Sequence, residues 1–252
     1  MSLFKVILIL LAGTAAGFLN TVAGGGSLIT MPTLIFLGLP SAIANGTNRI
    51  ALMIQNIVAI TNFRRKGFFD LKLSLMLSIP AILGAVIGSK IAVDLPDEIF
   101  NKILAIVMIG VLALILLKPQ KKLTSNMENL STKRQIAAMI AFFFVGIYGG
   151  FIQAGVGFII IATLSVITGL SLVKINSLKV FIVALYMVSS LAVFIINGKV
   201  NWILGLTLAV GNGLGAWLGS NFAVAKGDKW IRIILVIAVL GMAAKLLGVF
   251  NF

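Results

Sequence analysis

The residues of this 252-residue chain with most chemistry to offer are two cations, Arg49 and Lys179. Each closes a polar cluster and is followed by a long apolar stretch. Asn45-Gly46-Thr47-Asn48-Arg49 is the first cluster, with Gln55 and Asn56 further along; Asn176-Ser177-Leu178-Lys179 is the second. A cation buried in hydrocarbon costs several kcal/mol unless it is paired or wetted, so it marks a place for an anion. The competing reading is snorkelling, because both lie within about two turns of a helix start. Upstream of each cluster is a glycine-rich turn, Gly24-Gly25-Gly26-Ser27 and Ala154-Gly155-Val156-Gly157. Glycines let backbone amides converge on a ligand, and the helix start that follows carries partial positive charge. The plainer alternative is a tight turn or a close helix contact. Ser27, Asn45, Thr47, Asn48, Asn176 and Ser177 complete the candidate substrate-binding set.

Other chemistries are excluded or poorly supported. The chain has no Cys and no His, which removes thiol catalysis, disulfides and imidazole relays. Its six acidic residues, Asp70, Asp94, Asp97, Glu98, Glu128 and Asp228, all fall in or beside predicted loops. No carboxylate is then left in a membrane interior to carry a coupling proton. Ser177 and Lys179 cannot act as a dyad, since positions two apart on a helix do not share a face. No catalytic residue, metal site or cofactor is expected, and an enzyme is the weaker class.

Of the residues, 60% are hydrophobic and only 10% charged. A soluble domain carries about a quarter charged residues, so the chain reads as an all-α polytopic membrane protein. Its net charge of +14 would point to nucleic acid in a soluble protein; here it points to basic loops on the cytoplasmic side, and the partners are the bilayer and a small anionic substrate. Homo-oligomerisation is compatible with the sequence. Apolar runs cover 3–23, 28–39, 42–63, 71–93, 99–117, 136–153, 158–170, 173–196, 202–224 and 231–249. The runs 28–39 and 158–170 are too short to cross about 30 Å of hydrocarbon and read as half-helices or re-entrant pieces.

The halves repeat. A shift of 131 positions, without a gap, pairs Gly24 with Gly155, Gly26 with Gly157 and Asn45 with Asn176. It also aligns Leu83-Gly84-Ala85-Val86-Ile87-Gly88-Ser89 with Leu214-Gly215-Ala216-Trp217-Leu218-Gly219-Ser220. Seven of the nine glycines in residues 24–116 meet a glycine, far more than a chain with 26 glycines gives by chance. The expected organisation is a membrane repeat over 1–118, a cytoplasmic linker over 119–134 and a second repeat over 135–252. Each repeat has about five segments, four long and one short, giving 8 to 10 membrane segments. Placing Arg64-Arg65-Lys66 and the linker inside favours inverted repeats with both termini outside. The Gly84-xxx-Gly88 and Gly211-xxx-Gly215-xxx-Gly219 patterns read as helix packing.

Gly17-Phe18-Leu19-Asn20 running into Gly24-Gly25-Gly26, then Pro32, Gly38-Leu39-Pro40 and Asn45-Gly46-Thr47, resembles the TauE/SafE family of membrane transporters. The repeated Leu-Gly-Ala…Gly-Ser helix adds to the likeness, which spans essentially the whole chain. The resemblance implies a multi-pass protein of a prokaryotic cytoplasmic membrane that moves sulfite or an organosulfonate, with export favoured. The alternatives are a transporter of an unrelated organic anion and a membrane scaffold without transport. Two departures stand out: the second half lacks the glycine triplet, and Asn176-Ser177-Leu178 replaces Asn45-Gly46-Thr47.

Overall fold

A computed structural model describes residues 3–103, 106 and 132–246. Every regular element among them is helical: α1 (Leu3–Val22), α2 (Ser27–Phe36), α3 (Ser41–Arg65), α4 (Leu71–Val93), α5 (Thr132–Phe151), α6 (Val156–Thr168), α7 (Leu172–Ile196) and α8 (Trp202–Leu246). A further helix starts at residue 97, just after Pro96. Most of the expected 99–117 segment and the linker up to residue 131 lie outside the described residues, as does Gly110, which the 131-position shift pairs with Gly241. The expected segments 202–224 and 231–249 join into α8, bent where Gly227 leaves helical geometry (φ 69°, ψ −169°). The short helices are real: α2 has 10 residues and α6 has 13. At 1.5 Å per residue they reach roughly 15 and 20 Å, well short of a crossing.

Five described helices are long and apolar enough to cross a membrane: α1, α4, α5, α7 and the first part of α8. α3, whose run 42–63 is long enough in sequence to cross, is as long as α7 at 25 residues. It misses the apolar criterion because Asn45, Asn48, Arg49, Gln55 and Asn56 lie along it, all of them buried. Outward faces carry the apolar side chains instead. On α4, Leu71, Leu75, Ile79, Leu83, Ile87 and Ile91 form one exposed row at four-residue spacing. Such a row facing outward while polar groups face inward is the pattern of a protein solvated by lipid.

Helices exchange partners between the halves. α1 packs along α8, and α4 packs along α5. These contacts correspond nearly one for one. A Cβ on Gly84 would come within 2.1 Å of the Phe143 carbonyl oxygen, and one on Gly215 within 2.1 Å of the Thr14 carbonyl oxygen. Gly88 meets Ile147 as Gly219 meets Phe18, and Gly146 meets Ala81 as Gly17 meets Asn212. Small residues let these backbones approach directly, which is how packing is gained where lipid removes the hydrophobic drive. α1 and α5 correspond at 129 positions rather than 131, so the second half has two more residues before its short helix.

At the centre, α3 and α7 run antiparallel. Gly46 near the start of α3 lies against Phe194 and Lys199 at the end of α7. At the opposite end, Ser177 near the start of α7 donates its hydroxyl to the Phe68 carbonyl just past α3. Acidic residues close helix starts: the Asp70 carboxylate accepts from Leu73 N (3.0 Å), Asp97 from Ser41 N (3.0 Å) and Asp228 from Val173 N (3.3 Å). Each places negative charge on the positive end of a helix dipole.

Gly84→Ala and Gly215→Ala should each destabilise the protein by about 1–3 kcal/mol or more, because the new methyl meets backbone that cannot rotate away. Gly213→Ala, whose nearest neighbour would be 3.7 Å away, should be tolerated. Thermal unfolding in detergent tests this; equal melting of all three variants would contradict the packing.

Candidate functional site

Two helices end inside the bundle, α1 at Val22 and α5 at Phe151, and each runs straight into a glycine-rich turn. A helix end leaves its last carbonyls without intrahelical donors, and hydrocarbon supplies none. Each end is met by one Asn and one cation from the opposite half. The Lys179 ammonium donates to the Asn20 carbonyl (2.8 Å), the Thr21 carbonyl (3.0 Å) and Asn176 Oδ1 (2.7 Å). The Asn176 amide donates to the Val22 carbonyl at 2.9 Å. Across the bundle, Arg49 Nη2 donates to the Gly150 carbonyl (2.6 Å) and Asn45 Oδ1 (3.1 Å), and Nη1 to the Gly149 carbonyl (3.3 Å). The Asn45 amide donates to the Phe151 carbonyl at 2.7 Å. Three successive carbonyls are thus clamped at each end, by Asn residues at equivalent positions and by cations one position out of register, Lys179 matching Asn48 and Arg49 matching Val180.

The clamps place both cations at the negative ends of helix dipoles, where charge is favoured. Snorkelling is corrected by this geometry. Arg49 is fully buried, Lys179 is 3% exposed, and both heads point into the bundle. Among the described residues they are the only buried charged side chains. Arg49 has further company: Nη1 donates to Ser190 Oγ at 2.5 Å, and the Phe194 ring centroid lies 4.4 Å from its guanidinium carbon. Ser89 reaches the same place, bonding both Ser190 and the Gly150 carbonyl.

Beyond the clamps the chain turns. Gly24 (φ 95°) and Gly157 touch backbone to backbone: a Cβ on Gly24 would come within 2.4 Å of the Gly157 carbonyl carbon. The two glycine turns therefore meet, with Gly25, Gly26 and Ser27 opening α2 and Gly155 (φ 72°) preceding α6. In the second half Gln153 takes a left-handed conformation (φ 68°), rare for a residue with a side chain. Tyrosines hold that turn, as Tyr186 donates to Gln153 Oε1 at 3.2 Å and Tyr148 donates to the Ala154 carbonyl.

Not every candidate joins this centre. Thr47 Oγ1 accepts from Asn201 N at 2.9 Å, facing the turn before α8, and Ser177 is engaged with Phe68. Asn48 is buried, yet neither of its amide atoms has a hydrogen-bond partner among the described residues. Ser89, Ser190, Tyr148, Tyr186 and Gln153 escape sequence reasoning. The one available signal was Gly149-Gly150, two small residues whose carbonyls Arg49 can approach.

Comparison with known proteins follows the same outline. The family model described as "Sulfite exporter TauE/SafE" matches residues 9–246. The probable membrane transporter protein YfcA of Escherichia coli is 32% identical, over 92% of this chain and 86% of its own. A probable membrane transporter protein of Haemophilus influenzae is 30% identical over 95% and 94%. Another from a Sinorhizobium species is 29% identical over 94% and 90%. No solved structure matches the chain.

Asn45→Ala and Asn176→Ala should each cost about 1–3 kcal/mol of stability, because each bares one buried carbonyl and strips an acceptor from a cation. Chemical denaturation of the purified protein in detergent checks this; a loss at one position without the other would break the equivalence of the clamps.

Proposed function

Since the chain belongs to the TauE/SafE family of membrane transporters, we propose that it carries a small oxyanion across the cytoplasmic membrane of a prokaryote, with sulfite or an organosulfonate as substrate and export as the direction. The observation that carries this reading is the uncompensated positive charge at the centre of the bundle. Arg49 and Lys179 are buried, and no carboxylate is buried with them among the described residues. Helix dipoles do not cancel that charge: about half a negative charge at each clamped end is matched by about half a positive charge at the start of the short helix beyond it. Two buried cations with no buried carboxylate among the described residues are stabilised by an anion and disfavour a cation.

The glycine turns support the same reading. Gly24, Gly25, Gly26 and Ser27, with Gly155 and Gly157, set two short-helix starts against each other, an arrangement suited to a negative group. Antiparallel packing of the equivalent helices α3 and α7 supports inverted repeats, since parallel repeats would run these two the same way. Inversion places the Arg64-Arg65-Lys66 end inside and both termini outside. Export of an anion needs no coupling ion, because an inside-negative potential of 100 mV contributes about 2.3 kcal/mol per charge, roughly a fifty-fold gradient for a monoanion.

Flux in proteoliposomes under an imposed potential tests the proposal, with sulfite, sulfate, sulfoacetate and taurine compared against glycerol. Movement of an anion should follow the potential and reverse with it, and Arg49→Ala should lower the rate by about ten- to a hundredfold. Glycerol moving as fast as every anion, or flux indifferent to potential, would refute it. For orientation, a reporter fused after Phe252 should be active only in its extracytoplasmic form; activity in the cytoplasm would refute the inverted arrangement.

A further inference from the structure

The two clamps do the same work on the two helix ends but differ in what they leave free. Lys179 has three protons and three acceptors at 2.7–3.0 Å, so its ammonium is fully engaged in holding the end of α1. Arg49 keeps one donor over: its Nε is buried and has no partner among the described residues. Asn48, beside it, has both amide atoms unpartnered, and Gln55 Nε2 and Asn56 Nδ2 are buried donors in the same condition. All four residues are 1% exposed or less.

Helix geometry puts these donors in line. Positions 48, 49, 55 and 56 fall on one face at 100° per residue, and the two pairs are separated by about 10 Å along the axis. Each buried amide without a partner costs about 1–3 kcal/mol, so four on one face is a cost that only a ligand or water can offset. On these four residues the free atoms are four N–H donors and the Asn48 Oδ1 acceptor, a set that suits the oxygens of an anion. Gln55 Oε1 accepts from Asn212 Nδ2 at 3.3 Å, and Asn212 Oδ1 is a second free acceptor beside it. The partner helix offers nothing similar: at the corresponding positions 179, 180, 186 and 187, α7 carries the engaged Lys179, then Val180, Tyr186 and Met187.

We propose that an oxyanion passes along α3 alone, touching first one and then the other of two donor stations, Asn48 with Arg49 Nε and Gln55 with Asn56. Lys179 is a positioning residue that fixes the end of α1 without meeting the substrate. This route rests on the reading of the chain as an anion transporter. It assigns contact to Gln55 and Asn56, which lie outside both glycine turns, and makes the two halves functionally unequal.

The absence of cysteine makes the test direct, since any introduced thiol is unique. Asn48→Cys, Gln55→Cys and Asn56→Cys would be treated in proteoliposomes with sulfonatoethyl methanethiosulfonate, which is itself a sulfonate, and with its trimethylammonium analogue. Ile50→Cys, on another face of α3, and Val183→Cys, on α7, are buried controls. The α3 donor positions should react about tenfold faster with the anionic reagent than the controls do, and faster than with the cationic one. Methanesulfonate should slow that reaction. Three positions give independent readings if one variant does not fold. Controls reacting as fast as the donor face, or preference for the cationic reagent, would overturn the route. Labelling requires no particular cargo, so failure to move sulfite would count against the proposed substrate and leave the route to be judged by the thiols.

Discussion

A helix that stops within a bilayer must find donors for its last carbonyls inside the protein, and much of this structure answers that requirement. α1 and α5 both end buried in the bundle, and the donors come from across it: Asn176 with Lys179 for one, Asn45 with Arg49 for the other. Because each donor pair sits on a central helix of the opposite half, α3 and α7 must lie where they do. The short helices α2 and α6 can then start from a fixed point. Buried charge in this protein is first a structural necessity, and the positive potential it creates at the centre comes with that necessity.

Close backbone approach is the second constraint. Glycine brings α4 against α5 and α1 against α8 so tightly that any side chain would collide with a carbonyl. This packing keeps the helix ends at hydrogen-bonding distance from the clamps, since α1 and α5 carry those ends. Gly24 against Gly157 extends the same economy of volume to the two turns. The rigid frame thus reaches the site itself, while the polar face of α3 is left with donors that the frame does not use.

Sequence patterning read some of this well. Apolar length located α4 to the residue, and the two short runs were recognised as half-helices. Glycines at four-residue spacing marked Gly84, Gly88, Gly211, Gly215 and Gly219 as packing positions, without naming the helix each would meet. What patterning could not supply was the partner of each polar group. Arg49 meets carbonyls a hundred residues away, and a backbone carbonyl has no letter in the sequence. For the same reason Thr47 and Ser177 looked like members of the centre, although their hydroxyls face loops. The acidic residues were legible only as loop residues; that Asp70, Asp97 and Asp228 cap helix starts depends on which helix start lies nearby. Two extra residues before α6 shift α1 and α5 out of the simple register, and Gln153 takes a conformation expected of glycine.

Exchange of helices between the halves also has a consequence for biogenesis. α1 leaves the ribosome first, yet its packing partner α8 is synthesised about 180 residues later, and at about 5–20 residues per second that is a wait of roughly 9–36 s. During it the end of α1 lacks Lys179, and Gly13 and Gly17 face lipid or the insertion machinery. The nascent first half is therefore an unfinished surface, held open in the membrane until the helix that covers it has been made.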